Sequence, residues 1–235
     1  MTPSPTPPTH SDFEAAHAAV DFEAANAAFA PRLDALIAGV TRVQDRHARF
    51  LNTLSMLEHM GSRRIMLTRG AGNLDQTTLK HMADESRHAF FFKRQADRFA
   101  GRSLGYVDAD MIAPASARMY FRRLEARIAR DMRGDADPSL VTYLYMSLIV
   151  ELRAIWAFAV YQARLDQAGV RLSLKSLLAE EQGHFAAMEE GLERIGAASP
   201  DRMRRFLDVE RALFARLLAG LEDVVPPEAA GAYMS

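Results

Sequence analysis

The sequence predicts an all-α protein organised as a four-helix bundle with added helices, and three observations lead there. Apolar residues recur at helical spacing along most of the chain, and no run shows the period-2 alternation of a strand. Glutamates and two Glu-x-x-His pairs then fall at matched levels of four helical segments. The midpoint between Glu58 and Glu85 lies in Gly70-Ala71-Gly72-Asn73, where two antiparallel helices would turn. That of Glu151 and Glu181 is Asp166, three residues before Gly169, so the connection over 166–173 must be partly irregular.

The elements follow in order. Residues 1–11 are proline-rich and lack an apolar run behind a basic region, which predicts a disordered tail and no secretory signal. Residues 12–30, rich in alanine with Phe13, Val20, Phe22 and Phe29, predict a leading helix stopped near Pro31. The first core helix, about 32–69, carries Glu58. The second, about 73–100, starts from Asn73 or Asp75 as N-cap, ends before Gly101, and carries Glu85 and His88. A loop, a helix over about 115–132 and a turn from Gly134 to Pro138 make a long crossover, as needed when the second and third core helices run parallel. The third, about 139–167, bears Glu151; the fourth, about 172–195, bears Glu181 and His184. Ser199-Pro200-Asp201 supplies an N-cap and a proline for a last helix ending near Leu221, and residues 223–235 predict a flexible tail. Residues 12–222 are expected to form one domain.

Composition narrows the function. With 235 residues and 49% hydrophobic content, one sizeable core is within reach. The net charge of -1 and interspersed charges give no general attraction to nucleic acid or an anionic membrane. The run of Arg118, Arg122, Arg123, Arg127, Arg130 and Arg133 reads as a solvated helix face. Absence of cysteine excludes disulfides, thiolate metal sites and iron–sulfur clusters. The most apolar stretch, 148–161, is interrupted by Glu151 and Arg153, so no membrane span is expected and a cytoplasmic location follows by default.

Six residues carry the chemistry: Glu58, Glu85, His88, Glu151, Glu181 and His184. With 14 glutamates and seven histidines, about 0.4 Glu-x-x-His pairs would arise by chance, and three occur. The third, Glu14 with His17, has no matching lone glutamate and is set aside. Residues three apart share a helix face, so each pair can aim a carboxylate and an imidazole at one point. Four ionised glutamates would offset two divalent ions, whereas four unpaired carboxylates in a core would be very costly. Leu54, Ser55, Gly61 and Ser62, near Glu58, leave room for something beside a metal. His81, one turn before Glu85, reads first as a hydrogen-bonded neighbour of the site, with a seventh ligand or a proton donor as alternatives. His59 points about 100° away from Glu58 and is left out. Tyr143, Tyr145 and Tyr161 are assigned to packing.

This arrangement resembles the ferritin-like superfamily of di-iron carboxylate proteins over roughly residues 40–195; that superfamily includes ferritins, rubrerythrins, ribonucleotide reductase small subunits, monooxygenases and tRNA hydroxylases. The resemblance implies that Glu85 and Glu181 bridge two iron ions, that Glu58 and Glu151 are terminal ligands, and that His88 and His184 cap one ion each. Manganese is accepted by the same donors. Asp84-Glu85-Ser86-Arg87-His88 is similar to the Asp-Glu-x-Arg-His motif of the oxygenase branches, in which Asp84 and Arg87 would support the ligands. Glu180-Glu181-Gln182-Gly183-His184 lacks the arginine, so symmetric support does not follow. The function implied is activation of O2 to oxygenate or oxidise an organic substrate, with electrons from an external donor. Alternatives are ferroxidase and iron storage, hydroxylation of tRNA through Arg153 and the arginine-rich helix, and a metal-free scaffold. A homodimer is compatible with any of them.

Overall fold

The computed structural model describes residues 22–69 and 74–225, the side chains of 68 and 69 excepted. The expected N-terminal tail, the start of the leading helix, the turn at 70–73 and most of the C-terminal tail lie outside the described residues. All regular structure among those described is helical. The α-helices are α1 (Ala30–Thr41), α2 (Gln44–Arg69), α3 (Gln76–Ala100), α4 (Pro114–Asp131), α5 (Pro138–Gln167), α6 (Lys175–Arg194) and α7 (Pro200–Glu222), and residues 22–26 are helical as well.

Local chemistry fixes most boundaries. Asp75 accepts from the Thr78 amide at the start of α3, Asp137 from Leu140 before α5, and Ser199 from Arg202 before α7. Gly101 ends α3 at φ 67°, a left-handed conformation that glycine adopts without a Cβ penalty. Four expectations need correction. Pro31 opens α1 where it was expected to stop a helix, because a first-turn residue needs no amide donor. The helix expected over 32–69 breaks at residues 42–43. There the Thr41 hydroxyl donates to the Ile37 carbonyl and Arg46 to the Gly39 carbonyl, which satisfies the end of α1. The tail is not free from residue 223 onward, since Val225 is 1% exposed and packs near Gly39. The start of α6 at Lys175, later than 172, reflects a loop held to α5 by the Leu174 amide donating to Gln162 Oε1.

The helices pack in pairs around one apolar core: α2 with α3, α5 with α6, and α4 with α7, while α1 lies on α5. Aromatic and polar contacts give the directions. His47 and Phe50 at the start of α2 meet Tyr161 near the end of α5, so these two run antiparallel. In α3 and α5, His81 meets Tyr143 and Phe92 meets Phe158, so these run parallel, joined by a crossover that contains α4. By length and composition α5 could cross a membrane, although it is the mostly buried central helix here.

Arg153 does not face solvent, as a contact with tRNA would need. It is buried, with Nε and one terminal nitrogen donating to both oxygens of buried Glu210, and that terminal nitrogen also donates to Asn26. Its guanidinium carbon lies 3.7 Å from the centre of the Phe214 ring, and Tyr120 donates to Glu210 from α4. This network ties the residue 22–26 segment, α4, α5 and α7 together. Glu210→Ala strands a buried guanidinium and should destabilise the fold by about 3–5 kcal/mol, whereas replacing both partners, Arg153→Met with Glu210→Leu, should recover most of that loss. Urea denaturation midpoints of the two variants test it; equal losses would place the stability elsewhere.

Candidate metal centre

Each of the four long core helices contributes an acid to one buried space. Glu58 comes from α2, Glu85 and His88 from α3, Glu151 from α5, and Glu181 with His184 from α6. Two overlapping donor groups form, each with atoms within 4.8 Å of one another: Glu58, Glu85, His88 and Glu181, and His81, Glu85, Glu151 and His184. Glu85 belongs to both. Its Oε1 lies 3.9 Å from His88 Nδ1 and 3.7 Å from His184 Nδ1. Glu181 also stands between the histidines, with Oε1 3.2 Å from His88 Nδ1 and Oε2 2.9 Å from His184 Nδ1. All six sequence-selected residues are therefore brought together.

The outer nitrogens of both histidines are held in a crossed arrangement. His184 Nε2 meets Asp84 at 3.1 Å, and His88 Nε2 meets Glu180 at 2.7 Å. Each acid directly precedes the glutamate of the opposite Glu-x-x-His pair. A carboxylate on Nε2 fixes the ring and directs the Nδ1 lone pair inward, a common arrangement behind ligating histidines. Arg87 reaches both Asp84 and Glu180, so one arginine serves the two halves. The support is thus nearly symmetric although the second half lacks its own arginine. Glu180 was missed in the sequence; the signal was an acid before the glutamate in both pairs. Lys80, which bonds Asp84 at 2.5 Å, was missed too.

His81 stands at the cluster itself. Its Nε2 is 3.0 Å from Glu151 Oε1 and 3.5 Å from Glu85 Oε1, while Nδ1 pairs with the Tyr143 hydroxyl at 2.9 Å. Tyr143 therefore has a polar role beyond packing. Tyr145 donates to the Ala197 carbonyl and Tyr161 pairs with His47, both away from the cluster. Near Glu58 the small residues divide by task. Ser55 and Ser62 donate to the Ala89 and Met82 carbonyls and hold α2 against α3, so they open no space. Gly61 permits close approach: a Cβ there would lie 3.0 Å from Glu85 Oε2.

Electrostatics reveal how the cluster lives without cations. Burial raises the Glu58 and Glu151 pKa values well above the usual carboxylate range, and the neighbouring carboxylates push them further. Burial opposes charge on Glu181 too, but His184 and His88 outweigh it and hold its pKa down to about 2. Burial likewise opposes charge on His88, and the Glu181, Glu180 and Glu85 carboxylates raise it to about 9. Protons on Glu58, Glu151 and His88 offset the negative charge. Glu85 Oε1 and His88 Nδ1 are buried without a hydrogen-bond partner. Orphaned inward atoms of this kind fit coordination of a cation, and the mix of carboxylate and imidazole suits iron or manganese.

A cavity of about 170 Å³ opens against the cluster and reaches Glu58, Glu85, Glu151, Glu181 and His81. It is bounded by α2, α4 and α5, with Leu217 and Leu221 of α7.

A folded-state pKa above the unfolded value gives stability that is lost as pH rises through the folded value. Glu58, Glu151 and His88 all behave so, which predicts that the metal-free chain weakens as pH rises toward 9. Mn2+ bound at the cluster would displace those protons, so its increment in melting temperature should be larger at pH 8 than at pH 5.5. Calorimetric melts with and without Mn2+ check this, and an increment independent of pH would contradict it. No protein-family model, curated protein or solved structure matches this chain.

Proposed function

We propose that the protein is a ferritin-like di-iron, or manganese-containing, carboxylate oxidoreductase that activates O2 to oxygenate or oxidise an organic substrate. The observation that carries this reading is the pair of donor groups sharing Glu85, with two histidines turned inward by Asp84 and Glu180. Glu58, Glu85, His88, Glu151, Glu181 and His184 would hold the two ions. When bound, a reduced metal pair supplies two electrons to O2, and turnover draws further electrons from an external donor.

The chain's own residues have assignable tasks. Asp84, Glu180 and Arg87 hold the imidazoles in one orientation and balance charge behind them. His81 links Tyr143 Oη to Glu151 Oε1, so a proton can pass between the hydroxyl and the cluster through the ring. The largely apolar cavity keeps bulk water away from the carboxylates and gives an organic substrate a place beside them. That cavity favours substrate oxidation over iron storage, and the buried Arg153 removes one support for a tRNA substrate.

Loading with ferrous ion under anaerobic conditions, exposure to air and desalting should leave about two irons per chain. Glu85→Ala or His184→Ala should abolish binding of the pair while far-ultraviolet circular dichroism stays helical. Many irons per chain would instead mean mineral storage, and normal pair occupancy in either variant would remove the assignment.

A further inference from the structure

The cavity beside the cluster is longer than O2 requires. Its lining follows α2 from Phe50 to Ile65 and α5 from Thr142 to Phe158, about 22–24 Å of helix at about 1.5 Å per residue. Gathered into one chamber, a volume near its 170 Å³ would hold about one benzene ring. Drawn out over that length it is a narrow bore. A slender chain suits such a bore better than a fused ring system or a sugar, and the volume matches a chain of about six to eight carbons.

The two ends differ in chemistry. At one end lie Leu33, Phe50, Phe158, Leu217 and Leu221, all buried, beside buried Arg153, whose charge Glu210 meets while one terminal nitrogen is without a hydrogen-bond partner. At the other stands Arg64, the one exposed residue among the described residues that line the cavity, with its side chain 46% exposed and ion-paired to Glu125. Exposed Arg122 lies close enough to repel the Arg64 charge, so the mouth carries more positive than negative charge. Between the ends, Leu54, Leu57, Val150, Ala154 and Ala157 form an apolar wall, and the two alanines leave the space. Along α2, Glu58 is about 9 Å from Arg64 and about 12 Å from Phe50, so the cluster faces the middle of the bore.

We propose that this cavity binds an unbranched aliphatic chain with an anionic head, the head at Arg64 and Arg122 and the methylenes running past Glu58 and Glu151 into the buried end. The inference rests on reading the cluster as an oxidising metal pair, and it makes the substrate an amphiphile of the fatty-acid type that presents interior carbons to the cluster. Apolar walls supply affinity in proportion to chain buried, and the mouth fixes which end stays outside.

Titration calorimetry of the metal-free full chain with saturated carboxylates from hexanoate to hexadecanoate tests the proposal. Affinity should rise about three- to fourfold per added methylene until the buried end is reached, then level off. Ala157→Trp should move the plateau to shorter chains and weaken the longest about tenfold or more, with hexanoate changed less than twofold. Arg64→Glu should weaken every length. If Ala157→Trp loses its helical signal, Ala154→Leu makes the same test nearer the cluster. A flat length series, or 2-naphthoate binding more tightly than hexadecanoate, would overturn the aliphatic assignment, and two retained irons in that same protein would leave the metal reading intact. A rising series in a chain that retains no iron would overturn the metal reading, and with it the role of the aliphatic chain as substrate.

Discussion

Four glutamates share one buried space, and that constraint shapes the rest of the protein. Two unit charges at the 4.8 Å limit of the donor groups repel by about 3–4 kcal/mol even at an effective dielectric of about 20. Several such pairs together exceed the roughly 5–15 kcal/mol by which a domain of this kind is stable. The cluster can persist only if protons or cations neutralise it. In the metal-free chain the raised Glu58 and Glu151, and a protonated His88, do this. Asp84, Glu180 and Arg87 then orient the imidazoles from behind, so the neutralising groups face the carboxylates and have little freedom to leave them.

The helical frame follows from holding that space open on one side only. Hydroxyl contacts from Ser55 and Ser62 draw α2 close to α3, which brings Glu58 and Glu85 together over Gly61. On the other side, α4 and α7 stand off from the cluster and wall the cavity. Their position depends on the buried Arg153 and Glu210 pair, which Tyr120 joins from the cavity wall. A charged pair with so much desolvation cost is weak as a source of stability, but it fixes register among four segments, because removing either partner leaves the other uncompensated. Arg153 and Tyr120 of this network also line the cavity.

Much of this was legible in the sequence, for identifiable reasons. Spacing places Glu58 level with Glu85, and Glu151 level with Glu181 once the 166–173 connection is irregular, because a helix rises uniformly. Caps at Gly101 and Ser199, and at Asp75 as one of two candidates with Asn73, were readable because a side chain or a missing Cβ satisfies backbone groups locally. What escaped depends on tertiary partners. The sequence offers Arg153 as a tRNA contact, whereas Glu210, 57 residues later, holds it in the interior. The break after Thr41 depends on Arg46 reaching back to Gly39, and buried Val225 packs near Gly39 of α1. The crossed pairing of Asp84 with His184 and Glu180 with His88 needed α3 and α6 side by side, and the cavity needed α4 and α7 in place. Period and capping report the elements; they carry no record of which charged side chain meets which.

We propose that in the working protein the neutralising charge is a pair of metal ions held by the cluster. Crystals of the full chain grown with Mn2+ and measured at the manganese absorption edge test it most directly. The account predicts two anomalous peaks inside the cluster, one on the His88 side and one on the His184 side. A single peak, or manganese only at surface carboxylates, would contradict it.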